Sequence, residues 1–239
     1  MAHQHYRTKG IVLSKKDSGE ADQIFALYTQ YFGKIELVGK AIRKITSKLK
    51  AGIDVFYFIE VEFIQGKNRK TLTDAIVIDK FLEIRKNSEA LACVGQIAEV
   101  ADCLTITERK DEEIWRLLLV IFQKFNYKLL TNNYKLISHY FLWNFFTLLG
   151  YSPELYSCPI CSSKLLPETF FLSPLHGGVV CWRCCNFPAT EIMVDSVKLI
   201  RFFIKEPIEK VERLSIWEND LQNLNKAFKV YFDFLAEKG

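Results

Sequence analysis

The stretch Gly52-Ile53-Asp54-Val55-Phe56-Tyr57-Phe58-Ile59-Glu60-Val61-Glu62-Phe63-Ile64-Gln65-Gly66-Lys67-Asn68 decides the fold class of the N-terminal part. Val55, Tyr57, Ile59, Val61 and Phe63 alternate with Phe56, Phe58, Glu60 and Glu62. That is the period of two of a pleated strand, so the pattern predicts one long strand over 53–64. Gly66-Lys67-Asn68 reads as a turn, and residues 70–78 are rich in β-formers again. Upstream, residues 8–14 are β-branched and apolar. Residues 23–30 place Ile24, Ala26 and Tyr28 on one face and Phe25, Leu27 and Thr29 on the other. Gly33 opens a further alternating run over 34–38. Five strands in about eighty residues, with little room for helices, predict a small closed barrel.

Beyond residue 80 the apolar period changes to that of helices. Asn87-Ser88-Glu89 offers a cap, followed by Leu91, Val94, Ile97, Ala98 and Ala101 on one face. Asp111 caps a second helix, with Ile114, Leu117, Leu118, Ile121, Phe122 and Phe125 turned inward. Residues 136–153 lack Lys, Arg, Asp and Glu over eighteen positions, near the length of a membrane span. Ser138, His139, Asn144, Thr147 and Pro153 within them favour a buried helix instead, ended by Gly150 and Pro153. Further helices are expected near 194–204 and 214–235. The last carries Trp217, Leu221, Leu224, Phe228, Tyr231 and Leu235 as an apolar stripe. The fold class is therefore α+β in two parts, a small β-barrel over 1–80 and a helical domain over 81–239.

Hydrophobic residues make up 49% and charged residues 25% of the 239, the balance of a folded globular chain rather than a disordered one. Met1-Ala2-His3-Gln4-His5 lacks an apolar h-region, so no secretory signal is expected. The net charge of +4 is uneven. Residues 1–80 hold 14 Lys and Arg against 9 Asp and Glu, a surplus of five, whereas residues 81–239 hold 18 against 19. The first third is thus the expected contact for an anionic polymer.

Two Cys-x-x-Cys pairs interrupt the helical part: Cys158-Pro159-Ile160-Cys161 and Cys181-Trp182-Arg183-Cys184, nineteen residues apart. Each such turn aims two thiolates at one point, and two turns complete a tetrahedron. Structural Zn2+ held by Cys158, Cys161, Cys181 and Cys184 within a loop over 156–190 is the favoured reading. Four protein ligands leave no open coordination position for catalysis. Tetrahedral iron and a redox dithiol are the alternatives. Cys185 is a rival to Cys184, and His176 lies between the pairs as an alternate ligand. A nucleobase deaminase is excluded, because His139 is followed by Tyr140 and Phe141 and no His-x-Glu is present. Cys93 and Cys103, on predicted helices, are expected to be buried core thiols.

Lys34, Lys40, Arg43, Lys44, Lys48 and Lys50 are opposed only by Glu36 within residues 34–50. A solvated surface is the ordinary fate of such a run. Beside a barrel, with Tyr31, Phe32 and Phe56 nearby, it also suits a groove for single-stranded nucleic acid. Lys34, Lys40, Arg43, Lys44 and Lys48 are the candidate DNA contacts. No phosphate-binding Gly-rich loop, nucleophile elbow or His-paired nucleophile is present, so a non-enzymatic binding protein is expected.

Gly10-Ile11-Val12-Leu13, Gly19-Glu20-Ala21-Asp22, Thr29, Gly33-Lys34, Arg43 and Ser47 together resemble the RecO family of bacterial recombination mediators. So does the later run of Phe171, Ser173, Gly177, Gly178 and Cys181. Gly39-Lys40-Ala41-Ile42-Arg43 stands where that family usually has Lys-Gly-Ala-Arg. The resemblance implies an OB-fold followed by a helical domain. It implies binding of single- and double-stranded DNA, annealing of complementary strands, and help in loading RecA onto gapped DNA. The implied protein partners are the single-stranded DNA-binding protein and RecR. The implied location is the bacterial cytoplasm at the nucleoid, without a membrane.

Overall fold

The computed structural model describes residues 4–127, 133–187 and 189–237. Residues 1–3, part of the stretch read for a secretory signal, and residue 188 of the expected zinc loop lie outside the described residues. By backbone contacts the chain divides into two compact units, Met1–Lys128 and Leu129–Gly239.

The first unit is built on β1 (His5–Ser18), β2 (Asp22–Thr29), β3 (Gly33–Gly39), β4 (Phe58–Gln65) and β5 (Lys70–Asp79). They close into a barrel in the order β1-β2-β3-β5-β4, with β3 and β5 parallel and the other pairs antiparallel. This is the five-stranded arrangement of an OB-fold. β1 is long enough to serve both halves of the barrel. Its residues 5–11 pair with β4, and its residues 10–18 pair with β2. A register shift between Val12 and Ser14 bends it, as bulges do where a sheet must curl.

Eleven side chains fill the interior, among them Val12, Phe25, Leu27, Ile35, Ile59, Val61, Phe63 and Leu72. Tyr6, Phe32 and Phe63 meet with ring centroids 5.4–5.7 Å apart. Phe32 is thereby taken into the packing. Each of these buried aliphatic and aromatic side chains contributes about 1.5–3 kcal/mol of burial free energy.

The long strand expected over 53–64 begins only at Phe58. Ile53 is buried in the barrel core instead, and Phe56 takes a left-handed backbone with φ 65°. Residues 40–57 thus form a loop, with a single 3-10 turn at Leu49–Ala51.

Three helices follow in the same compact unit: α1 (Leu82–Lys86), α2 (Ser88–Leu104) and α3 (Glu112–Asn126). The caps read from the sequence are in place. The Asn87 side chain accepts from the Ala90 N–H, and that of Asp111 from the N–H groups of Glu113 and Ile114. The change of periodicity at 80/81 therefore does not end the compact unit. α3 brings Trp115 to Phe58 and Phe122 to both Phe56 and Phe81, with centroids 5.7–6.3 Å apart. Cys93 is buried as expected, but Cys103 is exposed, a correction to the reading of both as core thiols. Cys103 lies on α2 outside the face formed by Val94, Ile97, Ala98 and Ala101.

In the second unit α4 (Tyr134–Leu148) is apolar nearly all round, the mark of a helix buried on every side. The polar residues that argued against a membrane span hold it in place. Asn144 donates to the Phe203 carbonyl at 2.8 Å, and the His139 ring pairs with Asn225 at 3.1 Å. α5 (Val194–Lys205), α6 (Ile208–Val211) and α7 (Glu218–Ala236) complete the helices. Phe146 of α4 packs on Phe228 and Tyr231 of α7. Trp217 is 82% exposed at the N-cap of α7 and leaves the predicted stripe, because that helix starts after it. The cysteine segment carries a small antiparallel sheet of β6 (Phe170–Ser173), β7 (Gly178–Cys181) and β8 (Thr190–Ile192). No helix of the described residues is long and apolar enough to cross a membrane.

Candidate metal centre and nucleic-acid interface

Two short turns build the cysteine cluster. In the first, Ser162 takes a left-handed backbone (φ 61°), and its N–H returns to the Cys158 carbonyl at 2.8 Å. The Cys158 N–H donates to the Ser163 carbonyl at 2.9 Å. In the second, at the end of β7, the Cys184 N–H donates to the Cys181 carbonyl at 3.1 Å. Glu154 fixes the approach to the first turn. Its carboxylate accepts from the N–H groups of Tyr156 and Ser157 at 2.7 and 2.9 Å. The Ser157 and Tyr156 bonds hold that carboxyl below the usual carboxylate range.

The Glu154 backbone also pairs with Gly177 and Val179, on either side of Gly178 at the start of β7. Gly177 is left-handed at φ 76°. A Cβ on Gly178 would stand 2.2 Å from the Glu154 carbonyl oxygen, so only glycine lets the two chain segments approach.

The ligand atoms of Cys158, Cys161, Cys181 and Cys184 all lie within 4.8 Å of one another. Cys161 Sγ and Cys181 Sγ are 3.8 Å apart, far beyond a disulfide bond. A tetrahedron with Zn–S bonds of about 2.3 Å has edges of about 3.8 Å, so the spacing fits a four-thiolate ion. The Cys161 thiol is drawn down to about 6, first by the Ser163 hydroxyl and then by its backbone N–H. Cys184 is pushed up to about 12, first by its contact with Cys161. Crowded thiolates repel, and a divalent cation at their centre reverses that cost. Cys185 stands outside the cluster, its thiol donating to the Phe187 carbonyl at 3.7 Å. His176 is also outside it, held by the Ser173 hydroxyl at 2.8 Å and stacked on Phe187.

The basic residues of the first unit fall into two kinds. Lys34 is only 14% exposed. Its ammonium donates to the Asp102 carbonyl at 2.5 Å and lies 3.4 Å from the Asp102 carboxylate, which also accepts from the Ser14 hydroxyl. The Lys34 carbonyl takes the Glu108 N–H at 2.8 Å. Lys34 therefore fastens the α2–α3 connection to the barrel. Gly33 beside it is left-handed, and a Cβ there would stand 2.1 Å from the Arg109 carbonyl oxygen.

Lys40, Arg43, Lys44, Lys48 and Lys50 are exposed on the β3–β4 loop. Ile42 and Ile53 of that loop are buried in the barrel core, with Leu49 packed against it. Arg43 reaches Asp17 at 3.3 Å. Among the described residues no ion pair engages Lys40, Lys44, Lys48 or Lys50.

Of the aromatics near the basic run, Phe56 faces Phe122, and Tyr31 is exposed with the Lys110 ammonium 5.8 Å from its ring centre. Sequence reasoning passed over a second charged site. Lys67 and Arg69 in the β4–β5 turn line a polar groove with Lys16, Lys70, Glu36 and Glu108. The turn signal Gly66-Lys67-Asn68 was visible, but not that this turn comes back beside Lys16 of β1.

The comparisons with known proteins cover the whole chain. The family model for the recombination protein O N-terminal part matches residues 1–81, and that for its C-terminal part matches residues 85–239. The chain belongs to the RecO family. A DNA repair protein RecO of Dehalococcoides mccartyi strain 195 is 32% identical over 234 residues, 98% of this chain and 91% of that protein. Those of Roseiflexus sp. RS-1 and Caldicellulosiruptor bescii are 26% and 28% identical, over 100% and 97% of this chain and 83% and 93% of theirs. Two glycine features that carry the RecO resemblance, Gly33-Lys34 and Gly177-Gly178, prove to be backbone crossings. Each is a place where another segment lies too close for a side chain.

Proposed function

We propose that the chain acts in DNA repair as a DNA-binding recombination mediator. In this reading the barrel binds single- and double-stranded DNA and brings complementary strands together. The chain then assists RecA onto DNA coated by the single-stranded DNA-binding protein, with RecR as a second partner, at the nucleoid of the bacterial cytoplasm. No bond is made or broken, so it is a mediator and not an enzyme. The observation that carries the reading is a closed OB-type barrel whose β3–β4 loop is anchored by Ile42 and Ile53 and leaves Lys40, Lys44 and Lys48 exposed and unpaired. Such a loop neutralises phosphates without reading sequence. Of the five residues expected to touch DNA, we assign Lys40, Arg43, Lys44 and Lys48 to the contact. Lys34 is assigned to holding the barrel against α2. We assign residues 1–80 to DNA and residues 81–239 to protein partners, although the first three helices share the barrel's compact unit.

We further propose that Cys158, Cys161, Cys181 and Cys184 hold one structural Zn2+. The support is that the four sulfurs lie within 4.8 Å of one another, with Cys161 and Cys181 3.8 Å apart, close to the edge of a zinc–thiolate tetrahedron. The ion would join residues 158–161 to the end of β7, and a closed four-thiolate site offers no position for a reacting water. Metal analysis of reduced, unchelated protein is expected to give about one zinc per chain.

A second reading, a zinc-stapled scaffold for protein partners without DNA activity, draws on an open apolar groove lined by Leu172, Leu175, Phe187, Val230 and Phe234. Fluorescence anisotropy with a labelled single-stranded oligonucleotide at low salt separates the two. Binding, followed by strand annealing that persists when the oligonucleotides carry single-strand-binding protein, supports the mediator. Absence of binding leaves only the scaffold.

A further inference from the structure

Ile45 is 98% exposed, more than any other large apolar side chain of the described residues. It does not sit on a free tail. The Arg43 N–H donates to the Ala21 carbonyl at 3.0 Å, and the Ala41 N–H to the Asp22 carboxylate at 2.7 Å. Beyond it, the Ser47 N–H closes onto the Lys44 carbonyl at 3.0 Å. Ile42 and Ile53 of the same loop are sunk in the barrel, so the loop has an inner apolar side and Ile45 is held on the other. Its surroundings define what it meets. Residues 37–53 contain Lys40, Arg43, Lys44, Lys48 and Lys50 and not one Asp or Glu. A phosphate chain is the charge complement of that segment. Of the aromatics close by in sequence, Phe32 and Phe56 are turned into packing contacts, and the exposed Tyr31 has the Lys110 ammonium 5.8 Å from its ring centre.

We propose that Ile45 is an apolar wedge that enters between adjacent bases of single-stranded DNA held by the flanking lysines. A stiff β-branched side chain at the tip of an anchored loop suits insertion between bases, which branched aliphatic residues perform in other nucleic-acid binders. The wedge opens the stack of a captured strand and leaves its bases apart for a complementary strand to meet. The inference rests on the reading that this loop binds DNA.

The test uses the full chain and an oligonucleotide carrying 2-aminopurine, whose fluorescence rises when it is unstacked. The intact protein is expected to raise that fluorescence at saturation. Ile45→Ala is expected to abolish most of the rise and to weaken single-strand affinity about three- to tenfold. The salt dependence of binding should stay unchanged. Since the side chain is exposed, this variant keeps the fold. An undiminished rise with Ile45→Ala overturns the wedge while leaving the loop's DNA binding intact. The combined variant Lys40→Glu, Lys44→Glu, Lys48→Glu tests the underlying reading. If it binds as tightly as the intact protein, the loop is not the contact, and both ideas fall.

Discussion

The barrel at the N-terminus and the cysteine segment of the second unit differ in what holds them together. The barrel closes on eleven buried side chains, and every strand has a neighbour on both edges. The cysteine segment has strands of only three or four residues and a cluster of four sulfurs. One is stabilised by area removed from water, whereas the other brings four sulfurs together in the arrangement we propose for a zinc ion. The difference also separates roles. The region with ample core carries the exposed, unpaired lysines of the β3–β4 loop, whereas the sulfur cluster joins two chain segments. A four-cysteine motif suggests a nucleic-acid reader, but here the charge lies on the barrel.

The sharpest way to break this contrast is to dismantle the proposed four-thiolate zinc site. Cys158→Ser, or chelation of the intact protein, is expected to abolish hydrogen-exchange protection across residues 154–192 and leave the barrel amides protected. Structural zinc in small modules is worth on the order of 10 kcal/mol of folding free energy. Uniform loss of protection in both units would mean that the barrel depends on the cluster. A second route attacks the barrel at its crossing with the α2–α3 connection. Gly33→Ala places a Cβ against the Arg109 carbonyl and strains a left-handed backbone, a cost of about 2–4 kcal/mol. The loss should appear in denaturant unfolding of the barrel.

Acid provides a third, milder lever, on the helices of the second unit. Burial drives His139 down to about 4, against a smaller upward pull from its Asn225 bond. The folded protein therefore keeps the ring neutral while the unfolded chain protonates it near 6.5. The stabilisation is complete above pH 6.5 and is lost as pH falls towards 4, by about 3 kcal/mol in all. His139→Gln should flatten the stability profile in that window, and an unchanged slope would shift the acid sensitivity to other groups. The smallest effect separates the two kinds of lysine. Lys34→Ala should cost about 1–3 kcal/mol of barrel stability, because Asp102 loses a largely buried partner. Lys44→Ala should cost nothing measurable in unfolding experiments.

How much of this was legible in the sequence follows the same contrast. The five strands, the caps at Asn87 and Asp111 and the four sulfurs were readable because each depends on local spacing. The alternation over 53–64 misled because Ile53 looks like a strand residue but closes the barrel from a loop. Lys34 looked like its basic neighbours. Only the fold brings Asp102, sixty-eight positions away, to its ammonium. Trp217 completed an apolar stripe on paper, yet the helix begins one residue beyond it. The three short strands around the cysteines were missed because three or four residues are too few for a period to show.

The central claim is that DNA is held by the β3–β4 loop of the barrel and not by the cysteine turns. Its most direct test is the salt dependence of single-stranded oligonucleotide binding. Two variants are compared with the intact chain: Lys40→Glu, Lys44→Glu, Lys48→Glu in the loop, and Trp182→Ala, Arg183→Ala between two of the cysteines. Each phosphate contact contributes about 0.7 to the slope of log affinity against log salt for a single strand. The account predicts that the slope falls by about two with the loop variant and stays the same with the cysteine-turn variant. An unchanged slope in the first, with a reduced slope in the second, would contradict it.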